Sequence, residues 1–95
     1  MKTILQFGYR KSVPTGVPLL DCRVIKNPYK VGVSEDVLKA QVRASPEFGK
    51  VVKQGFKLLT ESDTKACGCL WGVHRSGAVA EELAKLYPNT KILKV

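Results

Sequence analysis

The sequence has no long apolar run, few cysteines and a single histidine, and each shortage excludes a class of protein. No stretch approaches the roughly 20 apolar residues that a membrane-spanning helix needs. The first ten residues, MKTILQFGYR, lack the apolar core and cleavage site of a signal peptide. We therefore expect a cytoplasmic protein with no membrane partner.

The three cysteines, Cys22, Cys67 and Cys69, are an odd number and lack the dense spacing of a disulfide-stabilised secreted domain. Reduced thiols are the better interpretation. Cys67, Cys69 and His74 are the nearest approach to a metal site, and they lack the fourth ligand of tetrahedral zinc. The sequence therefore predicts no metal and no other cofactor.

What the sequence does contain is an ordinary globular composition with a strong positive charge. Its 95 residues are 44% hydrophobic and 25% charged, with a net charge of +8. This length predicts one domain, residues 1–95. The charge favours anionic partners, namely nucleic acid, phosphorylated metabolites, nucleotides or acidic protein surfaces. Because the lysines are spread along the chain, they give nucleic acid no special support.

Apolar and β-branched runs alternate with amphipathic segments along the chain. The predicted strands are Thr3–Gly8, Leu19–Ile25, Thr64–Cys69 and Thr90–Val95. The first predicted helix runs from Ser34 to about Ala44, and the second starts from an N-cap at Ser45 with Pro46 in the first turn. The last predicted helix ends just before Pro88, and Ser76 begins it or lies just inside it. This order predicts an α/β fold with a small, mostly parallel sheet of about four strands flanked by helices.

The segment GCLWGVHRSG, Gly68–Gly77, lies between the predicted third strand and the last helix. Ligands tend to bind beyond the carboxyl ends of parallel strands, and a helix N-terminus attracts anions through its free N–H groups. Arg75 adds a forked cationic donor and Ser76 a hydroxyl. The sequence therefore predicts an anion-binding loop at this strand end.

Within that loop, Cys69–Ser76 has the spacing C-x-x-G-x-x-R-S, which resembles the phosphate loop of Cys-dependent protein phosphatases. Such enzymes need a thiolate nucleophile, here Cys69, whose pKa is lowered by a helix N-terminus and by Arg75. Asp21 is the best general acid by residue type. The other interpretation makes Cys69 a buried strand-end residue beside a ligand that is only bound. We favour binding without catalysis, with a phosphatase or phosphodiesterase as the alternative.

A second resemblance covers nearly the whole chain. The segments FGYRKSVP, DCRVIKNPY, VGVSEDV and GCLWGVHRS, the last followed by AEELA, occur in the order typical of the C-terminal domain of the RapZ family of RNase adapter proteins. The resemblance implies an α/β module that binds glucosamine-6-phosphate and engages small RNAs and protein partners. It also suggests a stand-alone version encoded by a bacteriophage and acting in the cytoplasm of a bacterium or phage-infected host cell.

The resemblance implies a ligand site assembled from several strand ends. Gly72, His74, Arg75 and Ser76 would hold the phosphate, and the remaining candidate ligand-binding residues are Arg10, Asp21, Arg23, Asn27, Tyr29, Cys69, Leu70, Trp71 and Val73. Trp71 replaces the first glycine of the family's glycine pair, and Val73 replaces a position that is usually basic. Because these changes alter the rim of the site and leave Arg75 and Ser76 in place, a bound phosphate is better supported than any particular sugar.

The predicted function is binding of a phosphorylated small molecule, either a sugar phosphate or a nucleotide-like compound, by a sensor, adapter or sequestering module. RNA binding through surface lysines is a further alternative, carried by Lys26, Lys30, Lys50, Lys53 and Lys57. A host protein partner and a homo-oligomer are left open by the sequence.

Overall fold

A computed structural model describes all residues, 1–95, and contains one parallel sheet with three helices. The elements in chain order are β1 (Lys2–Gly8), β2 (Leu19–Asp21), α1 (Glu35–Arg43), α2 (Phe48–Glu61), β3 (Thr64–Cys69), α3 (His74–Leu86) and β4 (Thr90–Lys94). The strand order in the sheet is β2-β3-β1-β4, and every neighbouring pair is parallel. The predicted α/β fold with a parallel sheet of four strands is confirmed.

The register of the sheet decides where the loops meet. Gly8, the last residue of β1, is the partner of Cys69, the last residue of β3, and Asp21 at the end of β2 is the partner of Gly68. Three strands therefore end at the same level. The segments that follow them leave the sheet at one edge and come into contact there.

The second strand is shorter than the sequence predicts. It ends at Asp21 instead of Ile25, and the next residues form a turn in which the Ile25 N–H donates to the Cys22 carbonyl over 3.2 Å. The Asp21 carboxylate accepts a hydrogen bond from the Arg23 N–H over 2.9 Å, which is the local bonding by which aspartate favours turns. The segment 22–25 therefore turns away from the sheet, and its carbonyl groups are left to partners other than a neighbouring strand.

The start of α2 also differs from the prediction. Ser34 caps α1 as expected, but α2 begins at Phe48, because Ser45 and Glu47 bond to each other in a preceding turn. The last helix begins at His74, so Ser76 lies just inside it, as one of the two predicted placements has it, and His74, Arg75 and Ser76 all lie in its first turn. No helix is long and apolar enough to cross a membrane.

One apolar cluster joins all three helices to one face of the sheet. It includes Ile4, Leu20 and Cys67 from the strands and residues from each helix, among them Val42, Val51, Leu59, Val79 and Leu83. Helical spacing from the buried residues of α2 and α3 also predicts burial of Phe56 and Leu86, but both are partly exposed. The Phe56 ring packs beside Tyr87, with ring centroids 5.8 Å apart. Helical periodicity thus gives the direction of an apolar stripe but not its width.

Candidate functional site

A cavity of about 250 Å³ opens where β3 ends and α3 begins, and we call it the loop cavity. It is lined by Asn27, Tyr29, Cys69, Trp71, Val73, His74 and Arg75. All seven belong to the candidate ligand-binding residues named from the sequence. The other six, Arg10, Asp21, Arg23, Leu70, Gly72 and Ser76, lie around the cavity without lining it.

The loop after β3 is held against the end of β1 by backbone contacts. The N–H groups of Tyr9 and Arg10 donate to the carbonyls of Cys69 and Leu70 over 2.9 and 3.0 Å. Gly72 has φ +78°, and a Cβ there would lie 2.6 Å from the Gly8 nitrogen. Glycine is therefore required at position 72, both for its backbone conformation and for the close approach of the two chain segments.

Gln6 fixes the same loop from inside the sheet, and sequence reasoning missed it. Its side chain is buried, and Nε2 donates to the carbonyls of Gly72 over 2.8 Å and Val73 over 3.3 Å. The signal was present, since Gln6 is the only polar residue in the apolar run ILQFG. A buried amide needs hydrogen-bond partners, and here it satisfies two loop carbonyls.

Arg75 is a structural clamp as well as a wall of the loop cavity. It is only 8% exposed, and Nη1 donates to the carbonyls of Arg23 over 3.2 Å and Ile25 over 3.1 Å. These carbonyls belong to the turn that replaces the predicted end of the second strand. Although Arg75 lies at the positive end of the helix dipole, two carbonyl dipoles already stabilise its charge. The Nε and Nη2 atoms have no partner in the chain and remain available to a ligand.

Cys69 lies with its sulfur among hydrogen-bond donors. Sγ is 3.3 Å from Ser76 Oγ, and the backbone N–H groups of Ser76, Gly72 and Val73 are near enough to favour negative charge on the sulfur. Burial raises the pKa of the Cys69 thiol, but the Ser76 hydroxyl and these N–H groups outweigh burial and place the pKa below its ordinary value. The arrangement stabilises negative charge at the sulfur, which suits either a nucleophilic thiolate or an anion site beside it.

Ser76 is hydrogen-bonded to Cys69, and only Cys69 of the two lines the loop cavity. Ser76 is fully buried, and its hydroxyl bonds to Cys69. It therefore lies behind the cavity wall, and its effect on a ligand would pass through Cys69.

Asp21 and Arg23 form an ion pair on the rim. Arg23 Nε lies 2.9 Å from Asp21 Oδ1, and Nη2 lies 2.7 Å from Oδ2. The hydrogen bonds from Arg23 lower the pKa of the Asp21 carboxyl. The Arg23 guanidinium also lies 3.7 Å from the centroid of the Tyr9 ring. Both charges are thus engaged with each other outside the loop cavity.

Aromatic rings form much of the remaining surface of the site. The rings of Tyr29 and His74 are within 26° of parallel, with centroids 6.2 Å apart. Trp71 is 52% exposed, and the Arg10 guanidinium lies 5.4 Å from its ring centroid. The Asn27 Oδ1 atom accepts from the Tyr29 N–H over 3.2 Å and so orients the turn that carries Tyr29. Flat, partly exposed rings of this kind can stack on a sugar face or a base.

Comparison with known proteins gives relatives over most of the chain. No protein-family profile matches it. The chain is 34% identical over 87% of its length to a nucleotide-binding protein of Cereibacter sphaeroides. It is 31% identical over 87% of its length to a nucleotide-binding protein of Acidothermus cellulolyticus, and 32% identical over 85% to one of Cutibacterium acnes. The chain spans about one third of the length of these curated relatives.

Proposed function

We propose that this chain is a single domain akin to the C-terminal domain of the RapZ family and that it binds a phosphorylated small molecule in the loop cavity. The observation that carries the proposal is the convergence of a helix N-terminus, the Arg75 guanidinium and Cys69 on one cavity. Two of the four motifs that resemble the RapZ family, DCRVIKNPY and GCLWGVHRS, contain all seven residues that line the cavity. The relatives named nucleotide-binding proteins support a phosphorylated ligand at a coarse level.

Electrostatics favour a phosphate at this position. The free N–H groups in the first turn of α3 carry the positive end of the helix dipole. Arg75 lines the cavity and has no partner within the chain at Nε and Nη2, while Nη1 is held by carbonyls that keep the guanidinium fixed. An oriented arginine of this kind suits the forked geometry of phosphate oxygens. The role that follows is that of a sensor, adapter or sequestering module for such a ligand.

The test uses Trp71, the only tryptophan, as a reporter in the cavity wall. Inorganic phosphate, glucose 6-phosphate and AMP are titrated while Trp71 fluorescence and the thermal unfolding midpoint are measured. We expect at least one of these compounds to change both signals saturably. Val73→Glu places a negative charge in the cavity wall and should abolish the response without removing any hydrogen bond of Arg75.

Val37→Glu is the matched control, because Val37 lies on the exposed side of α1 and lines no cavity. It should keep the full response. If no phosphate compound changes either signal, or if Val73→Glu responds as the unaltered chain does, the proposed function is wrong.

A Cys-dependent phosphatase is the alternative, favoured by the lowered pKa of Cys69. In that reaction Sγ attacks phosphorus, the ester P–O bond breaks, the leaving oxygen takes a proton, and water then hydrolyses the phosphocysteine. The proton donor named from the sequence, Asp21, is paired with Arg23 outside the loop cavity, which favours binding over turnover.

An aryl phosphate assay separates the two functions. The binding proposal expects no release of nitrophenol from p-nitrophenyl phosphate. Turnover that disappears in Cys69→Ser while phosphate affinity persists would replace the binding proposal with the phosphatase.

A further inference from the structure

A second cavity, of about 570 Å³, adjoins the loop cavity, and we call it the helix-end cavity. It lies between the turn at residues 26–30 and the segment 41–47, which contains the end of α1 and the turn before α2. Asn27 and Tyr29 line both cavities. The two cavities therefore meet at these two residues, and a ligand that occupied both would lie over them.

The loop cavity alone is small for a complete ligand. Its volume of about 250 Å³ lies below the roughly 300–1,000 Å³ of ordinary ligand pockets. A phosphate and a sugar ring are therefore the most that it can enclose. The helix-end cavity falls within the ordinary range and offers space for a further group attached to that sugar.

The polar groups of the helix-end cavity include both donors and acceptors, since Lys26 and Lys30 line it together with Gln41, Ser45 and Glu47. The end of α1 carries partial negative charge and contributes Gln41 and Ala44. The Glu47 Oε1 atom accepts from Ser45, and its Oε2 atom has no partner in the chain. These acceptors are typical partners for amino groups and ring N–H groups.

Tyr29 provides a surface on which a flat ring can pass from one cavity to the other. It is 60% exposed, and it lines both cavities. Asn27 lies beside it with Oδ1 already bonded to the Tyr29 N–H, which leaves the Nδ2 group free as a donor. A planar base above Tyr29 would thus meet both a stacking surface and a hydrogen-bonding amide.

We propose that the ligand is a nucleoside monophosphate, with its phosphate in the loop cavity and its base over Tyr29 in the helix-end cavity. This inference rests on the proposed function, because it requires the phosphate site. It adds that a sugar phosphate without a base fills only part of the site.

The test compares ribose 5-phosphate with AMP, GMP, CMP and UMP by isothermal titration calorimetry. We expect at least one nucleotide to bind about tenfold more tightly than ribose 5-phosphate, since stacking of one base contributes about 1–3 kcal/mol and 1.4 kcal/mol is tenfold in affinity. Ala44→Phe fills the helix-end cavity and should reduce nucleotide affinity to that of ribose 5-phosphate, which itself stays unchanged. Ala40→Phe, one turn earlier on the exposed side of α1, should alter neither.

A second variant tests the helix-end cavity without adding side-chain volume. Glu47→Gln removes the carboxylate charge from the helix-end cavity, and Glu61→Gln is its charge-matched control at the far end of α2. We expect Glu47→Gln, but not Glu61→Gln, to weaken binding of the preferred nucleotide by several-fold.

The outcomes separate this inference from the proposed function. Equal affinities for ribose 5-phosphate and all four nucleotides, or nucleotide binding that survives both Ala44→Phe and Glu47→Gln, would overturn the inference and leave the phosphate site intact. Failure of every compound to bind would instead overturn the proposed function on which the inference rests.

Discussion

The Nη1 atom of Arg75 donates a hydrogen bond of 3.1 Å to the carbonyl oxygen of Ile25, which lies 50 residues earlier in the chain. The same atom reaches the Arg23 carbonyl over 3.2 Å. Through these bonds the first turn of α3 is tied to the turn that follows β2. Two features therefore depend on this one guanidinium. They are the orientation of Arg75, a candidate phosphate-binding residue, and the position of Tyr29, four residues after Ile25.

Removal of this guanidinium should destabilise the fold. Arg75→Ala leaves two buried or part-buried carbonyls without their charged donor, and we expect a loss of about 1.5–3 kcal/mol in the free energy of unfolding. Arg75→Lys keeps the charge but not the fixed fork, so its stability should be intermediate. Urea denaturation measures both. An Arg75→Ala variant as stable as the unaltered chain would contradict the clamp.

Loss of the Gln6 side-chain donor should loosen the loop. Gln6→Met preserves most of the volume but leaves the Gly72 carbonyl unpaired, which costs about 1–3 kcal/mol, whereas the Val73 carbonyl keeps its bond from the Gly77 N–H. Phosphate affinity should fall together with the stability, because the loop forms part of the cavity wall. Gln54→Met, on the exposed side of α2, is the control and should change the urea midpoint little. Similar behaviour of the two variants would show that Gln6 does not hold the loop.

Gly72 and Gly16 allow backbone strain to be separated from steric clash. Both have positive φ, +78° and +74°, but a Cβ at Gly72 would lie 2.6 Å from the Gly8 nitrogen, whereas at Gly16 it meets nothing within 4 Å. Gly16→Ala should cost about 1–2 kcal/mol, the cost of left-handed backbone. Gly72→Ala should cost clearly more and should also abolish binding in the loop cavity. Thermal unfolding of both variants gives the comparison, and equal losses would rule out the clash.

The three thiols should differ in their reaction with iodoacetamide. Cys22 and Cys67 are fully buried, whereas Cys69 lines the loop cavity and has a lowered pKa. We expect peptide mass spectrometry of the folded chain to find alkylation at Cys69 first, with a rate that rises with pH to a midpoint below the ordinary thiol pKa. Ser76→Ala removes one hydrogen bond to the sulfur and should move that midpoint upward. Preferential alkylation of Cys22 or Cys67, or an unchanged midpoint in Ser76→Ala, would contradict the described site.

The same pKa predicts a direction for stability against pH. Because the pKa of Cys69 is lower in the folded chain than in the unfolded chain, the thiolate contributes stability at pH values above the unfolded thiol pKa. That contribution is lost as pH falls through the folded pKa. Cys69→Ser should remove this dependence, which urea denaturation across the alkaline range would detect. If the stability of Cys69→Ser still changes with pH in this way, another titrating group causes the dependence.

Local patterns determined most of the fold. The strands β1, β3 and β4 and the cap of α1 lie within about one residue of their predicted bounds, because short runs of apolar, β-branched and small residues and a serine before acidic residues are local signals. The predicted end of β2 and the predicted start of α2 are wrong, because side chains there form other local hydrogen bonds. Asp21 caps the turn that ends β2, and Ser45 bonds to Glu47 instead of starting α2.

The sequence by itself determined which residue types surround the site, since spacing alone placed Cys69, His74 and Arg75 between a strand and a helix. Only the tertiary structure decided what those residues contact. Gln6 meets the loop, and Arg75 meets the turn after β2, because the parallel register brings the ends of three strands to one level. Contacts between segments 50 or more residues apart depend on that register, and no local pattern encodes it.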